Sequence, residues 1–289
     1  MAKRKKKAKP TQAQRWLATG LTALFVSVGV LLWWQTSNRS SSEPTAATMP
    51  TRRALIADQL GHYHPNPEFV REATAMLEAA GYAVEYLPTE AITVDFYRRL
   101  PLRGDDLILL RAHGTVSQYN RADGSTQARD FVSLASGERI PEDLVFEDPF
   151  QLLAAQEGWL ERFTMLDENS NPDESGVFLI TQGFFTYAME GEFNDSVLVL
   201  MGCDGLRGSA TAEHFVQQRG ARAVVGWDGE VSARHMDDAT LHWLQHYLQD
   251  SSNPALLEAV QDTQQRFGPD PFFAGELQLM LRSGEVSQH

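Results

Sequence analysis

The chain has 289 residues, 43% of them hydrophobic and 22% charged, enough for one well-filled globular domain with added segments and incompatible with a disordered or fibrous chain. Its formal net charge of −13 is unevenly spread: residues 1–42 hold eight Lys or Arg and no acid, so the remainder carries −21. An acidic body of that kind repels a phosphate backbone, which argues against nucleic acid as a partner; it would attract basic peptides or metal cations, and the competing reading of the charge is simple solubility.

The N-terminus reads as a membrane signal. MAKRKKKAKP is polybasic, and Leu17–Trp34 is an uncharged run of 18 residues. As a helix that run spans ~27 Å, close to the hydrocarbon core of a bilayer. Trp16, Trp33 and Trp34 stand at its two ends, where indoles favour the interface, and the basic cluster is expected to stay cytoplasmic. A cleaved signal peptide would have a shorter apolar core followed by small residues. Trp33–Trp34–Gln35 follow instead, so an uncleaved signal-anchor is expected, with the C-terminal domain extracytoplasmic. Gln35–Thr51 is rich in Ser, Thr, Pro and Ala and reads as a tether. The resulting organisation is a basic N-terminus (1–16), a transmembrane helix (17–34), a linker (35–51) and a domain (52–289). With one cysteine, that domain has no intramolecular disulfide and is held by its core.

Within the domain, Arg53–Asp58 predicts a strand, Pro67–Ala80 a helix closed by Gly81, and Ala83–Leu87 a second strand. Thr93–Leu100 predicts a short helix and Asp106–Ala112 a third strand. The alternation predicts a mostly parallel sheet with right-handed crossovers. Asp58 ends the first strand, and His62 and His64 follow in a loop at the same sheet edge, with no third metal ligand evident. The polar segment Thr115–Ile140 predicts a hairpin turn at Asp123–Gly124 and a strand at Phe131–Leu134. Pro149–Gln156 looks helical. Next, Asp167, Asn169, Asn171 and Asp173 alternate like the oxygen ligands of a calcium loop, although Pro172 stands where a glycine is expected. The competing reading is a solvated acidic loop, and no other cofactor is expected. Gly176–Thr181 is strand-like.

Ser196–Gly208 organises the chain. Val197–Met201 is a buried-strand pattern that ends in Gly202, and the lone Cys203 follows, with Gly205 and Gly208 close behind. Ligands bind at the carboxyl ends of strands in open α/β sheets. The strand Asp106–Ala112 likewise delivers His113–Gly114. A cysteine nucleophile needs an imidazole within reach and amide donors for the developing oxyanion; the amides of Gly114 and Cys203 are candidates. The alternative for Cys203 is a packed core cysteine. Downstream, Ser209–Gln218 predicts a helix, Ala221–Gly226 a strand leading to a Trp227–Asp228–Gly229 tip, and Val231–Leu248 and Asn253–Arg266 two helices. His235, His242 and His246 are expected on an exposed helix face, and Leu277–Leu281 is expected to close the sheet.

The pair "apolar strand–His–Gly" and "apolar strand–Gly–Cys–x–Gly", with Gly220–Ser232 (GARAVVGWDGEVS) after it, resembles the caspase–haemoglobinase clan of cysteine peptidases. That clan includes metacaspases, gingipains, clostripain and CHAT domains. The resemblance covers about Arg53 to Tyr247. His113 and Cys203 stand 90 residues apart, more than the ~50 of caspases, so an insertion must separate the two strands. The resemblance implies a three-layer α/β/α caspase-like domain and peptide-bond hydrolysis by a Cys203–His113 dyad. It also implies that Asp58 lies in the specificity pocket, that Trp227 flanks it, and that Gln182–Tyr187 contributes a wall of the cleft. Asp204 and Asp228 are further candidates for reading a basic side chain. The expected partners are a peptide or protein substrate and, through the N-terminal helix, a membrane. The alternative is a catalytically inactive binding or sensor domain on the same fold. The sequence gives no oligomeric state.

Overall fold

A computed structural model describes residues 52–116, 118–120, 126–128, 130–141, 146, 148–165, 172 and 176–282. The basic N-terminus, the apolar run, the linker, the Asp123–Gly124 turn and the calcium candidates Asp167, Asn169, Asn171 and Asp173 lie outside the described residues. Among the described residues, no helix is long and apolar enough to cross a membrane.

The chain begins with strand β1 (Arg52–Asp58), helix α1 (Pro67–Ala79), β2 (Tyr82–Leu87), α2 (Val94–Arg99) and β3 (Leu107–Arg111). Short strands β4 (Gly114–Thr115), β5 (Gln118–Asn120), β6 (Thr126–Ala128) and β7 (Ser133–Arg139) come next. They are followed by α3 (Pro149–Gln156), β8 (Leu160–Phe163), β9 (Val177–Ile180) and α4 (Gln182–Tyr187). The last part holds β10 (Val197–Met201), α5 (Ser209–Glu213), β11 (Ala223–Trp227), α6 (Ala233–Tyr247), α7 (Asn253–Phe267) and β12 (Leu277–Leu281).

The main sheet has the order β12-β11-β10-β3-β1-β2. All its pairs are parallel except the edge pair β11–β12. Its central strands are apolar at nearly every position because both faces are covered, as parallel sheets require. Ala54, Ile56, Leu107, Leu109, Val197 and Val199 face one core with Phe69 and Leu77 of α1, Trp243 of α6 and Leu256 of α7. The alternate residues Leu55, Ala57, Ile108, Leu110, Leu198 and Leu200 face the other, with Tyr97 of α2, Phe184 of α4 and Ala212 of α5. This is a mixed α/β, three-layer architecture with a mostly parallel central sheet.

The interval between β3 and β10 builds a second, antiparallel sheet of order β4-β7-β9-β8, plus the small β5–β6 ribbon. Three local expectations change. The strand expected at Phe131–Leu134 runs over Ser133–Arg139. The helix expected over Ser209–Gln218 is α-helical only to Glu213 and then widens into a π-turn, His214–Gln218. Gln182–Tyr187 is a helix whose Phe184 and Phe185 are sealed in the core, so these rings form no cleft wall.

Candidate active site

β3 and β10 are hydrogen-bonded neighbours in parallel register, with Met201 opposite Arg111. The pairing continues past the strands, since the Ala112 amide donates to the Met201 carbonyl at 3.0 Å. The next two residues on each strand are Ala112–His113 and Gly202–Cys203, so the imidazole and the thiol emerge from adjacent strand tips. Both tips need glycine for this approach. A Cβ on Gly114 would stand 2.2 Å from the Cys203 carbonyl oxygen, and one on Gly202 would stand 2.0 Å from the Ala112 oxygen. Such overlaps are excluded for any other residue.

His113 is fixed from three sides. Its amide donates to Oε1 of the buried Gln59 at 3.0 Å, and its carbonyl accepts from the Ala135 amide at 2.9 Å. Its ring stacks on Phe163 of β8, with centroids 4.8 Å apart and planes 29° apart. The second sheet therefore acts as a backing plate for the imidazole. Burial lowers the His113 pKa and the nearby His64 charge lowers it further, while Asp204 pulls it up. The ring is accordingly neutral near pH 7.

Cys203 is half-buried. The Val231 amide donates to its Sγ at 3.4 Å, and the thiol donates to the Val231 carbonyl at 3.6 Å. Burial pushes the Cys203 pKa up, and the charges of Asp204, Glu230 and Asp270 add to that; the Val231 amide acts in the opposite direction. The sulfur is a protonated thiol at rest.

His113, Gly114 and Cys203 line one cleft of about 540 Å³, together with Leu60, His64, Asp204, Glu230, Met236 and Phe273. The volume lies within the range of small-molecule and peptide side-chain pockets. Its lining combines apolar Leu60, Val231 and Met236 with acidic Asp204 and Glu230. Asp204 is buried and holds a left-handed backbone, φ 61°, and Arg207 donates to its Oδ1 at 3.3 Å. A non-glycine residue in that region stores local strain, and such strain gathers at functional sites. Phe273, 52% exposed, lines the cleft, and Phe272 beside it in sequence is 81% exposed. Asp270 holds this turn: its Oδ1 accepts from the Phe272 and Phe273 amides at 2.8 and 2.9 Å. Its Oδ2 accepts from the Ser232 amide and hydroxyl at 2.8 and 2.6 Å.

The other sequence candidates lie elsewhere. Asp58 is buried beside Arg111, whose Nη1 donates to it at 2.8 Å, while Arg111 Nε and Nη2 grip Asp237 at 2.8 and 2.9 Å. That Asp58–Arg111–Asp237 triad ties β1 and β3 to α6, and Asp58 is not part of the cleft lining. Asp228 accepts from the Glu276 amide at 2.8 Å and faces β12. Trp227, 1% exposed, belongs to β11 and packs in the core beneath the cleft. Of the two loop histidines only His64 reaches the cleft lining. Phe163 and Gln59 had no sequence signal, because each meets the site through a long-range contact; Glu230 and Val231 fall in the Gly220–Ser232 run but carried no role there. Asp270 had one, since Asp followed by Pro and two Phe is a side-chain-capped turn pattern.

No protein-family profile matches this chain, and none of the curated proteins searched matches it.

Proposed function

We propose that this chain is a membrane-anchored cysteine peptidase of caspase-like architecture that cleaves peptide bonds after Arg or Lys. The observation that supports the reading is the placement of His113 and Cys203 at matched positions beyond two neighbouring parallel strands, in one cleft. In this mechanism Cys203 Sγ attacks the scissile carbonyl carbon as its proton passes to His113. The oxyanion takes hydrogen bonds from the Gly114 and Cys203 amides. The imidazolium then protonates the leaving amine, the C–N bond breaks, and a thioester remains. Water, deprotonated by His113, attacks the thioester carbonyl and releases the carboxylic acid and the thiol. The acids that read a basic side chain are Glu230 and Asp204 of the cleft lining, in place of Asp58 and Asp228, which do not line it; Asp204 exchanges its Arg207 contact for the substrate cation.

The anchor is Leu17–Trp34, with the N-terminus cytoplasmic and the domain outside. Full-length protein is expected to stay in the membrane pellet through a carbonate wash; a soluble form beginning near Ser40 would contradict this.

A peptide acyloxymethyl ketone carrying Arg next to the warhead tests the chemistry. It should label Cys203 in the wild-type chain and fail on a folded His113→Ala variant. A fluorogenic panel cleaved only after apolar residues would refute the basic preference. The second reading, an inactive binding or sensor domain on the same fold, is favoured by the thiol's engagement with the Val231 backbone. An unlabelled wild-type chain that still binds a basic peptide would select it.

A further inference from the structure

Away from the cleft, α6 and α7 pack side by side and bring together His242, His246 and Asp262. The two histidines are one turn apart and share a helix face. Both Nε2 atoms converge on the same oxygen, Asp262 Oδ2, at 2.7 Å from His242 and 3.1 Å from His246. The three ligand-type atoms lie within 4.8 Å of one another. The rings stand 4.7 Å apart, and Phe267 packs against His242 edge-on at 5.5 Å, which restrains its orientation.

Two imidazole nitrogens and a carboxylate oxygen gathered this closely on two packed helices form a donor set that one cation can bridge. We propose that His242, His246 and Asp262 bind a divalent transition-metal ion of the zinc class, and that the ion clamps α6 to α7. Two imidazoles and a carboxylate suit a borderline ion such as zinc better than calcium or magnesium. Tetrahedral bonds of about 2.0–2.1 Å place neighbouring ligand atoms about 3.3 Å apart. The 2.7 and 3.1 Å separations need only small side-chain rotations to reach that spacing. All three side chains are partly exposed, at 22%, 38% and 44%. An open groove of about 440 Å³ adjoins them and is lined by His246, Asp262 and Glu258. It gives the ion an access route and water a place in the remaining position. The clamp reaches the cleft only through the scaffold, because Met236 of α6 and Phe273 beyond α7 both line it. It stands whether or not the peptidase reading holds.

The test is calorimetric titration of the purified full-length chain with zinc chloride. A Cys203→Ser background removes the one thiol. One ion per chain is expected, with His242→Gln or His246→Gln each weakening binding about tenfold or more. Circular dichroism establishes that the variants fold, and His246 is exposed enough for its replacement to spare the core. Cobalt in place of zinc should show visible d–d bands without thiolate charge transfer in the same background. Absence of binding at about millimolar zinc, affinity unchanged in both histidine variants, or affinity that falls with His113→Ala instead would each overturn the proposal.

Discussion

Gly114→Ala is the sharpest perturbation of the candidate dyad. The new methyl would sit 2.2 Å from the Cys203 carbonyl oxygen, a backbone atom with no rotamer to escape into, and 3.2 Å from a Val132 methyl. Ordinary contact requires the two strand tips to part by roughly 1 Å, and a displacement of that size between reacting groups costs about 100-fold in rate. The overpacking itself costs about 1–3 kcal/mol of stability. The matched control is Gly220→Ala. Its Cβ would meet the Phe193 carbonyl oxygen at 2.7 Å, at a φ of 78°, before β11 begins and thus at the far edge of the sheet. Labelling of Cys203 by the Arg-bearing ketone, followed by intact-mass spectrometry, should slow about 100-fold in Gly114→Ala and stay near wild type in Gly220→Ala. Both variants should show lowered unfolding midpoints. Equal labelling rates in the two would refute the idea that contact between these tips sets the dyad.

Two further outcomes follow from the groups around the cleft. Although burial pushes Asp270 up, the Ser232 hydroxyl and amide and the Phe272 and Phe273 amides outweigh it and hold the carboxyl at about 2. A depressed carboxyl contributes stability above its unfolded value near 3.8 and loses it as pH falls towards 2. Asp270→Asn should therefore lower the unfolding midpoint at pH 7, with the difference from wild type shrinking between about pH 4 and 2. Removal of the same carboxylate should loosen the Phe273 rim and raise KM for peptide substrates more than it lowers kcat.

The sheet was legible because parallel strands buried on both faces are continuous apolar runs, and Val197–Met201 falls where its sequence puts it. The placement of His113 and Cys203 just beyond neighbouring strand tips also followed from two runs that each end in a chemical group. Trp227 shows how a boundary error changes a role. Read as a tip beyond a strand ending at Gly226, it points to a pocket; as the last residue of β11, it turns inward and is core. Asp58 looked available because the residue that claims it, Arg111, is remote in sequence, yet the register sets Asp58 opposite Arg111. The β8 strand, LERF, is four residues long and half polar, too short for periodicity to reveal. Its Phe163 is nonetheless what the imidazole stacks on.

On the proposed peptidase reading, the electrostatics of the cleft link specificity to reactivity through Glu230. Burial first, then the negative charges of Asp204, Glu230 and Asp270, keep the sulfur protonated, while burial and His64 keep His113 neutral. Attack therefore has to create thiolate character in a negative field. A cationic side chain seated on the cleft acids cancels part of that field, so the bound substrate makes the sulfur easier to ionise. Glu230→Gln separates the two effects, because it removes one of the charges that oppose the thiolate as well as a partner for the cation. Alkylation by neutral iodoacetamide should become a few-fold faster at pH 7, as the thiol pKa drops. Labelling by the Arg-bearing ketone should become slower. Opposite signs for the two reagents are required; parallel changes, or none, would mean that Glu230 neither faces the sulfur nor reads the substrate.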